Sequence, residues 1–326
     1  MPVPGDGRYE WAGFWPGDKL PSSYNPPSGY VTTSNEMNLP ADYPYQDRKL
    51  GFEWTNGARH ARIDEVLKSL PKVSIEDSMR LQNDVTSIPA RRLIALLRPL
   101  SSSDPKTKAA LDLLHGWDAA EHPESPQAAL MEVWISRHLE RAFLQAALPP
   151  NAARAIASPD IAVMLDKLEK PGEVHDRDHL LLSTLATAYA EMEKLEGPDP
   201  KLWQWGKLHH SLPEHPLLAA VDGDLRARLQ PGPFPTPGGP YTPNASSYRG
   251  SDFQLTGGPS FRMVLDVGNW DNSRVVNYPG QSGNPSDIHY RDLTKMWLTG
   301  EYFPLLYTRE AVEKATTSRI LLKPAS

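Results

Sequence analysis

The sequence predicts an α+β protein in which a helical domain interrupts a sheet layer. Residues 1–60 show no helical periodicity and contain short β-branched runs between turn residues. Residues 61–200 repeat apolar positions at intervals of three and four, which is typical of amphipathic helices. Residues 201–326 return to short apolar runs separated by Pro and Gly. This order of strands, helices, strands and a last helix is typical of the α+β class.

Composition narrows the classes of function. The chain has 326 residues, enough for about two domains, and its net charge of -6 gives no reason to expect a nucleic acid or an anionic membrane as partner. No apolar run approaches the roughly 18 residues of a transmembrane segment, and the start of the chain lacks the basic-then-apolar order of a signal peptide. The absence of cysteine excludes disulfides, thiolate zinc sites and a cysteine nucleophile.

One stretch within the first 60 residues could present a catalytic side chain. Turn residues from Asn25 to Gly29 precede a short run, Gly29–Thr33, that predicts a strand, and the run ends in a polar cluster around Asn35. A second strand is predicted at Leu50–Trp54. A carboxamide at the end of a rigid strand can stabilise a developing oxyanion. Taken alone, however, the stretch is a strand followed by a polar turn.

Local signals define the helical region. Ser74 and Asp77 form a predicted capping box, Pro89 suits the first turn of a helix, and Asp104-Pro105 combines an N-cap with proline at the first helical position. Further helices are predicted from Ala61 to Leu70, from Gln127 to Leu148, from Asp176 to Glu196, from His289 to Trp297 and from Arg309 to Ala315. A shorter helix is predicted to follow a cap at Ser158-Pro159. Strands are predicted at Phe261–Val267 and Arg274–Asn277.

Two familiar catalytic patterns are only partly present in the sequence. His209, His210 and His215 lack the spacing of a zinc-binding helix, and the prolines between and after them break it further. Ser282 lies in Gly280-Gln281-Ser282-Gly283-Asn284, which misses the Gly-x-Ser-x-Gly pattern and predicts a tight structural turn. His115 and His122, on either side of Trp117-Asp118 in a predicted helix, are expected to be structural or surface groups.

Eight groups of residues share their order with one known family. They are Met1-Pro2-Val3-Pro4-Gly5-Asp6-Gly7 with Trp11 and Gly13; Asn25-Pro26-Pro27-Ser28-Gly29-Tyr30 with Asn35; Asp42-Tyr43-Pro44 with Asp47; Trp54 with Arg59, Arg62 and Ile63; Trp117-Asp118; Trp203, Trp205-Gly206, His209 and His215-Pro216; Gly258-Pro259-Ser260 with Arg262; and Pro279–Gly283 with His289, Tyr290 and Asp292. Together they resemble the C-terminal part of the large (β) subunit of the penicillin acylase (penicillin amidase) family of N-terminal-nucleophile hydrolases.

The resemblance implies a fold and three site residues. The fold is the C-terminal portion of an αββα N-terminal-nucleophile hydrolase, with residues 1–60 and 201–326 in the sheet and helix layers and residues 61–200 as an inserted helical domain. Asn35 matches a family asparagine that donates to the oxyanion. Arg59 matches a family arginine that positions the groups around the active site. The other interpretation of Arg59 is a surface salt bridge. Asp47 matches a ligand of a structural Ca²⁺, while no cofactor is expected for the chemistry itself.

The implied function is hydrolysis of a linear acyl amide, such as a β-lactam side chain, an N-acyl amino acid or an acyl-homoserine lactone. The family's nucleophile is a chain-terminal Ser, whereas residue 1 is Met. We therefore expect the chain alone to be inactive and its partner to be a missing N-terminal segment or companion subunit. By resemblance the enzyme is periplasmic or secreted. The alternative is a non-catalytic truncated remnant or a binding or structural subunit, and a metal-dependent hydrolase is a third interpretation.

Overall fold

The computed structural model describes residues 3–324 of the chain. The chain divides into two compact units, Met1–Gly57 and Ala58–Ser326. Within the described residues, none of the helices combines the length and the apolar character needed to cross a membrane. The boundaries predicted near residues 60 and 200 stay a prediction.

The described part of the first unit consists of turns, with a single 3-10 turn at Gly17–Lys19. The strands predicted at Gly29–Thr33 and Leu50–Trp54 are wrong, since these residues have no strand geometry. At Gly29–Thr33 local bonds favour a turn: the Gly29 amide donates to the Pro26 carbonyl at 2.9 Å, and the Ser28 hydroxyl donates to the Tyr30 carbonyl at 2.8 Å.

The second unit begins with a helical layer and contains short helices throughout. In chain order the helices are α1 Ala58–Ser69, α2 Ile75–Gln82, α3 Ile88–Leu97, α4 Pro105–Leu114, α5 Pro126–Val133, α6 Glu140–Ala147, α7 Pro150–Ala155, α8 Ile161–Glu169, α9 Arg177–Glu196, α10 Trp205–Leu208, α11 Gly223–Leu229, α12 Thr294–Thr299 and α13 Arg309–Ala315.

The capping side chains seen in the structure confirm most of the predicted helix starts. Ser74 and Asp77 form the reciprocal capping box of α2. The Ser87 side chain caps α3 with Pro89 in the first turn, and Asp104 caps α4 ahead of Pro105. These bonds satisfy backbone N–H groups that the first helical turn leaves without a partner.

Three predictions about helices need correction. The cap of α8 is Asp160, whose carboxylate accepts from the amides of Ala162 and Val163, and not Ser158. His115 and His122 lie in the irregular connection after α4, not in a helix. The helix predicted from His289 to Trp297 is a 3-10 turn at Ile288–Tyr290 followed by α12.

The helix predicted from Gln127 to Leu148 is continuous but changes its winding in the middle. A π-helical segment, Trp134–Leu139, joins α5 to α6. The π segment inserts an extra residue and so rotates the inward face. Trp134, Leu139 and Phe143 are all buried as predicted, and they belong to the hydrophobic core that the helical layer encloses.

Strands are short in the described chain. In chain order they are β1 His210–Ser211, β2 Phe234–Pro235, β3 Ser247–Tyr248, β4 Leu255–Gly257, β5 Phe261–Val264, β6 Arg274–Asn277 and β7 Phe303–Pro304. β1 pairs with β2 and β3 with β4, while β5, β6 and β7 form an antiparallel sheet in that order. β5 ends before the predicted Val267 because the Asp266 carboxylate accepts from the amides of Gly268 and Asn269, which turns the chain.

Arg262 joins the three-stranded sheet to the helical layer. Its side chain, on β5, is buried, and the guanidinium donates to Asn83 Oδ1 at 2.7 Å, to the Trp297 carbonyl at 2.8 Å and to Asn244 Oδ1 at 3.0 Å. It also lies over the Trp297 ring, 4.5 Å from the centroid. Between residues 3 and 324 no carboxylate pairs with it, and burial lowers its pKa to about 10.

Candidate functional site

Asn35 lies at the tip of a tight polar turn in the first unit. Its backbone has a φ of 70°, a left-handed conformation that asparagine tolerates better than most residues. Its carbonyl accepts from the Thr55 amide at 3.0 Å. Its neighbours Ser34 and Glu36 are buried while Asn35 itself is exposed. The turn thus places the residue predicted to donate to an oxyanion at the surface of its unit.

The neighbours of Asn35 fix this turn. One carboxylate oxygen of Glu36 accepts from the Ser34 amide at 2.7 Å and from the Ser34 hydroxyl at 2.9 Å. The Thr55 hydroxyl donates to the Ser34 carbonyl at 3.3 Å. A carboxylate that accepts from the backbone two residues earlier is a strong local constraint. Asn35 is therefore supported by this buried Ser–Glu contact and not by the predicted strand.

Asp47, the predicted calcium ligand, is exposed in a turn of the same unit. Its amide donates to the Pro44 carbonyl at 3.1 Å. Calcium takes six to eight oxygen ligands, and among residues 3–324 there is no group of three or more His, Cys, Asp or Glu side chains that could hold a metal ion. The described residues therefore do not fit a calcium site by themselves, and the role of Asp47 stays a prediction.

Arg59 belongs to the second unit, where it is the second residue of α1 and partly buried. The nearby Arg62, from the same motif, has a clear structural role: its guanidinium donates to Asp84 Oδ2 at 2.6 and 3.0 Å. Burial opposes the charge of Asp84, but the Arg62 bond and the Thr86 amide outweigh it and lower the pKa of this carboxyl. Arg62 thus fastens α1 to the chain after α2.

Ser282 lies in a turn that is shaped by Gly280. A Cβ on Gly280 would lie 2.2 Å from the His289 carbonyl oxygen, so only glycine fits there. The Ser282 amide donates to the same carbonyl at 3.0 Å, and the Ser282 hydroxyl accepts from the Asn284 amide at 3.2 Å. The His289 imidazole bonds Asp292 at 2.7 Å and not Ser282. This geometry is that of a structural turn.

His209 is buried in an aromatic cluster. Its ring stacks on Trp205 with centroids 4.9 Å apart, and Nδ1 donates to the Phe253 carbonyl at 2.9 Å. Burial lowers the pKa of this imidazole to about 4, which keeps it neutral at physiological pH. The residue therefore supports the packing of the second unit.

A buried acidic pair, Glu121 and Glu132, lies in the second unit and is not among the predicted site residues. Both side chains are fully inaccessible to solvent, and both carboxyl groups lie against Gly239. The Tyr248 hydroxyl donates to Glu132 Oε2 at 2.5 Å. A Cβ on Gly239 would lie 2.5 Å from Glu121 Oε2, so this glycine lets the backbone close over the pair. The signal in the sequence was a glutamate, Glu132, among the apolar residues of α5.

Burial governs the protonation of this pair. It raises the pKa of both carboxyls, and the charge of Glu132 raises that of Glu121 further. Desolvation likewise raises the pKa of the neighbouring Glu140 to about 7, with a further contribution from the Glu132 charge. Perturbed carboxyls can mark functional sites, but Glu121 and Glu132 are closed off from solvent. We read them as a structural pair.

Comparisons of the sequence with known proteins agree on one family. The sequence profile described as penicillin amidase matches residues 1–314. The acyl-homoserine lactone acylase QuiP of Pseudomonas aeruginosa is 27% identical over 100% of this chain and 43% of its own length. The penicillin acylase 2 proenzyme of a Pseudomonas species is 30% identical over 98% of this chain and 42% of its own length. The chain thus spans less than half the length of these curated relatives.

A solved structure gives the same result for the fold. The thermostable penicillin G acylase of Alcaligenes faecalis superposes with a TM-score of 0.60 at 19% identity, over 100% of this chain and 62% of that one. This likeness confirms the predicted fold class, an α+β portion of an N-terminal-nucleophile hydrolase. The chain belongs to the penicillin amidase family.

Proposed function

We propose that the chain is part of an amidohydrolase that cleaves a linear acyl amide. The main support is the family match over residues 1–314. The substrate class follows from the names of relatives, an acyl-homoserine lactone acylase and a penicillin acylase. Both names describe a bond between an acyl group and an amine, so the proposed reaction yields a carboxylic acid and a free amine.

In the proposed reaction, a serine hydroxyl at the start of the family's large subunit attacks the amide carbonyl, with its own α-amino group as base. The carbonyl π electrons move onto oxygen, and Asn35 donates its carboxamide N–H to that oxyanion. The oxyanion collapses, the C–N bond breaks, and the amine leaves with a proton. Water then attacks the acyl-serine ester, which releases the acid and restores the hydroxyl.

The fixed backbone turn around Asn35 supports this role. An oxyanion donor must be held in place before the charge develops, because reorganisation would consume the stabilisation. The Glu36 bonds to Ser34 and the Thr55 bond to the Asn35 carbonyl hold the backbone on both sides of the residue. Arg59 is proposed to position groups around the site, and Asp47 to supply one ligand of a structural Ca²⁺ whose other oxygens lie elsewhere. The nucleophile is proposed to come from a preceding segment or a companion subunit, in a periplasmic or secreted enzyme.

The test compares two proteins on the same substrates. The product of the complete reading frame and the 326-residue chain alone are assayed with N-acyl-homoserine lactones and with penicillin side-chain amides. We expect amide hydrolysis by the first and none by the second. If the complete product processes correctly but hydrolyses no acyl amide, the enzyme proposal fails and the binding or structural subunit becomes the better interpretation.

A further inference from the structure

A cleft of about 610 Å³ opens in the second unit between the end of α3, the middle and end of α4 and the turn that follows α4. Its floor is formed by Leu97 and Leu114, which are 4% and 2% exposed. α4 ends at Leu114, and the chain turns away at His115 and at Gly116, which has a φ of 75°; this turn makes the far wall. The volume lies within the range of small-molecule sites, roughly 300–1,000 Å³.

The walls of the cleft are apolar and anchored. Ile94, Leu111 and Trp117 are partly buried, line the cleft and pack against the hydrophobic core of the unit. They sit on helices or next to a helix end, so the surface they offer is already formed. An apolar chain or ring placed on this floor would lose contact with water without any reordering of the protein.

The rim carries one positive charge that nothing in the described chain neutralises. Arg98 and His115 are exposed at the cleft, and within residues 3–324 neither side chain has an ion pair or hydrogen bond. The other charges of the rim, Lys108 and Asp112, pair with each other at 2.6 Å. The cleft therefore combines an apolar floor with an available guanidinium, whose planar fork matches a carboxylate.

We propose that this cleft binds an amphipathic carboxylate, with its apolar chain on Leu97 and Leu114 and its carboxylate on Arg98. A phosphate is a poorer match, since a single arginine would have to balance two charges. The inference does not depend on the proposed amide hydrolysis, because the cleft contains neither Asn35 nor Arg59.

The test is calorimetric titration of the 326-residue chain with hexanoate, octanoate and decanoate, and with octylammonium as the cationic counterpart. We expect one saturable site whose affinity rises about three- to fourfold with each added methylene. Octylammonium should bind at least about tenfold more weakly than octanoate, because the guanidinium repels it.

Two variants locate the site. Arg98→Gln should weaken octanoate binding about tenfold, while Arg291→Gln, which removes an exposed arginine elsewhere, should leave the affinity unchanged. Circular dichroism melts confirm that both variants fold. Unsaturable binding, equal affinity for octylammonium, or an Arg98→Gln variant that binds octanoate as the parent chain does would each overturn the proposal. None of these results bears on amide hydrolysis by the complete enzyme.

Discussion

The carboxyl groups of Glu121 and Glu132 lie close together against Gly239 in the buried interior of the second unit. Two buried negative charges at this separation would repel each other, and each would lose its hydration. We therefore expect the pair to hold one proton in the folded protein, because burial raises the pKa of both carboxyls and the Glu132 charge raises the pKa of Glu121 further. The Tyr248 hydroxyl, which donates to Glu132, leaves Glu121 as the better place for that proton.

Glu121→Gln should reduce the pH dependence of stability. The folded pKa of Glu121 lies above its unfolded value of about 4.5, so its contribution is fully present below that value and is lost as the pH rises through the folded pKa. Glutamine has a similar shape, is neutral and has no proton to lose. We expect the variant to gain stability relative to the parent as the pH rises above about 4.5, as measured by urea denaturation.

Glu124→Gln is the matched control for this experiment, since Glu124 is exposed in the same connection between α4 and α5. It should change neither the stability nor its slope with pH. A Glu121→Gln variant whose stability falls with pH as steeply as that of the parent would show that the pair does not hold the proton.

Glu140 should titrate near neutrality. Burial, helped by the Glu132 charge, raises its folded pKa to about 7. Its contribution to stability is therefore present below about pH 4.5 and is lost by about pH 7, amounting to about 1–3 kcal/mol. Carboxyl-carbon NMR of selectively labelled glutamate checks the pKa directly, with Glu140→Gln identifying the signal. If the signal that this variant removes titrates near pH 4.5, the expected shift is absent.

Asn35→Gly tests the oxyanion donor in the active, complete enzyme. Glycine accepts the φ of 70° without strain and removes only the side chain, whereas alanine would add backbone strain. We expect kcat to fall about 10²–10³-fold, with a much smaller change in KM, because the charge develops in the transition state. Steady-state kinetics on an acyl amide measure both.

Asn38→Ala is the control in the same polar cluster. Asn38 is exposed and its carboxamide makes a long 3.4 Å contact with the Thr33 hydroxyl. This variant should keep kcat within about threefold of the parent. Larger damage from Asn38→Ala than from Asn35→Gly would assign the donor to the wrong asparagine.

Gly280→Ala should destabilise the second unit by about 1–3 kcal/mol, because the new Cβ would collide with the His289 carbonyl oxygen at 2.2 Å. Gly283→Ala, in the same turn, meets nothing within 4 Å and should be neutral. Thermal denaturation of the two variants measures the difference. Equal melting temperatures would contradict the tight turn around Ser282.

Sequence alone predicted what short-range chemistry determines. The caps at Ser74 and Asp104 depend on residues three positions apart, and the inward residues Trp134 and Phe143 follow helical periodicity. The strand at Gly29–Thr33 could not be judged in this way, since a strand exists only where another strand pairs with it, and here local bonds form a turn.

The missed parts of the structure depend on long-range contacts. Glu132 meets Tyr248 across 116 positions of the chain, and no periodic pattern connects them. Asn35 and Asp47 were found only through the family resemblance, because a polar residue in a turn has the same local pattern whether or not it has a catalytic role. A glutamate within an apolar helix was the one local sign of the buried pair.

The Arg262 junction has a consequence for the behaviour of the protein in acid and in salt. Its three acceptors are carbonyl oxygens of Asn83, Asn244 and Trp297, which neither take up protons in the physiological range nor attract counterions as a carboxylate does. Exposed pairs such as Arg92–Glu169 weaken when the glutamate is protonated or when ions screen it. We therefore expect the contact between the sheet and the helices to persist in acid and at high salt, where surface ion pairs break.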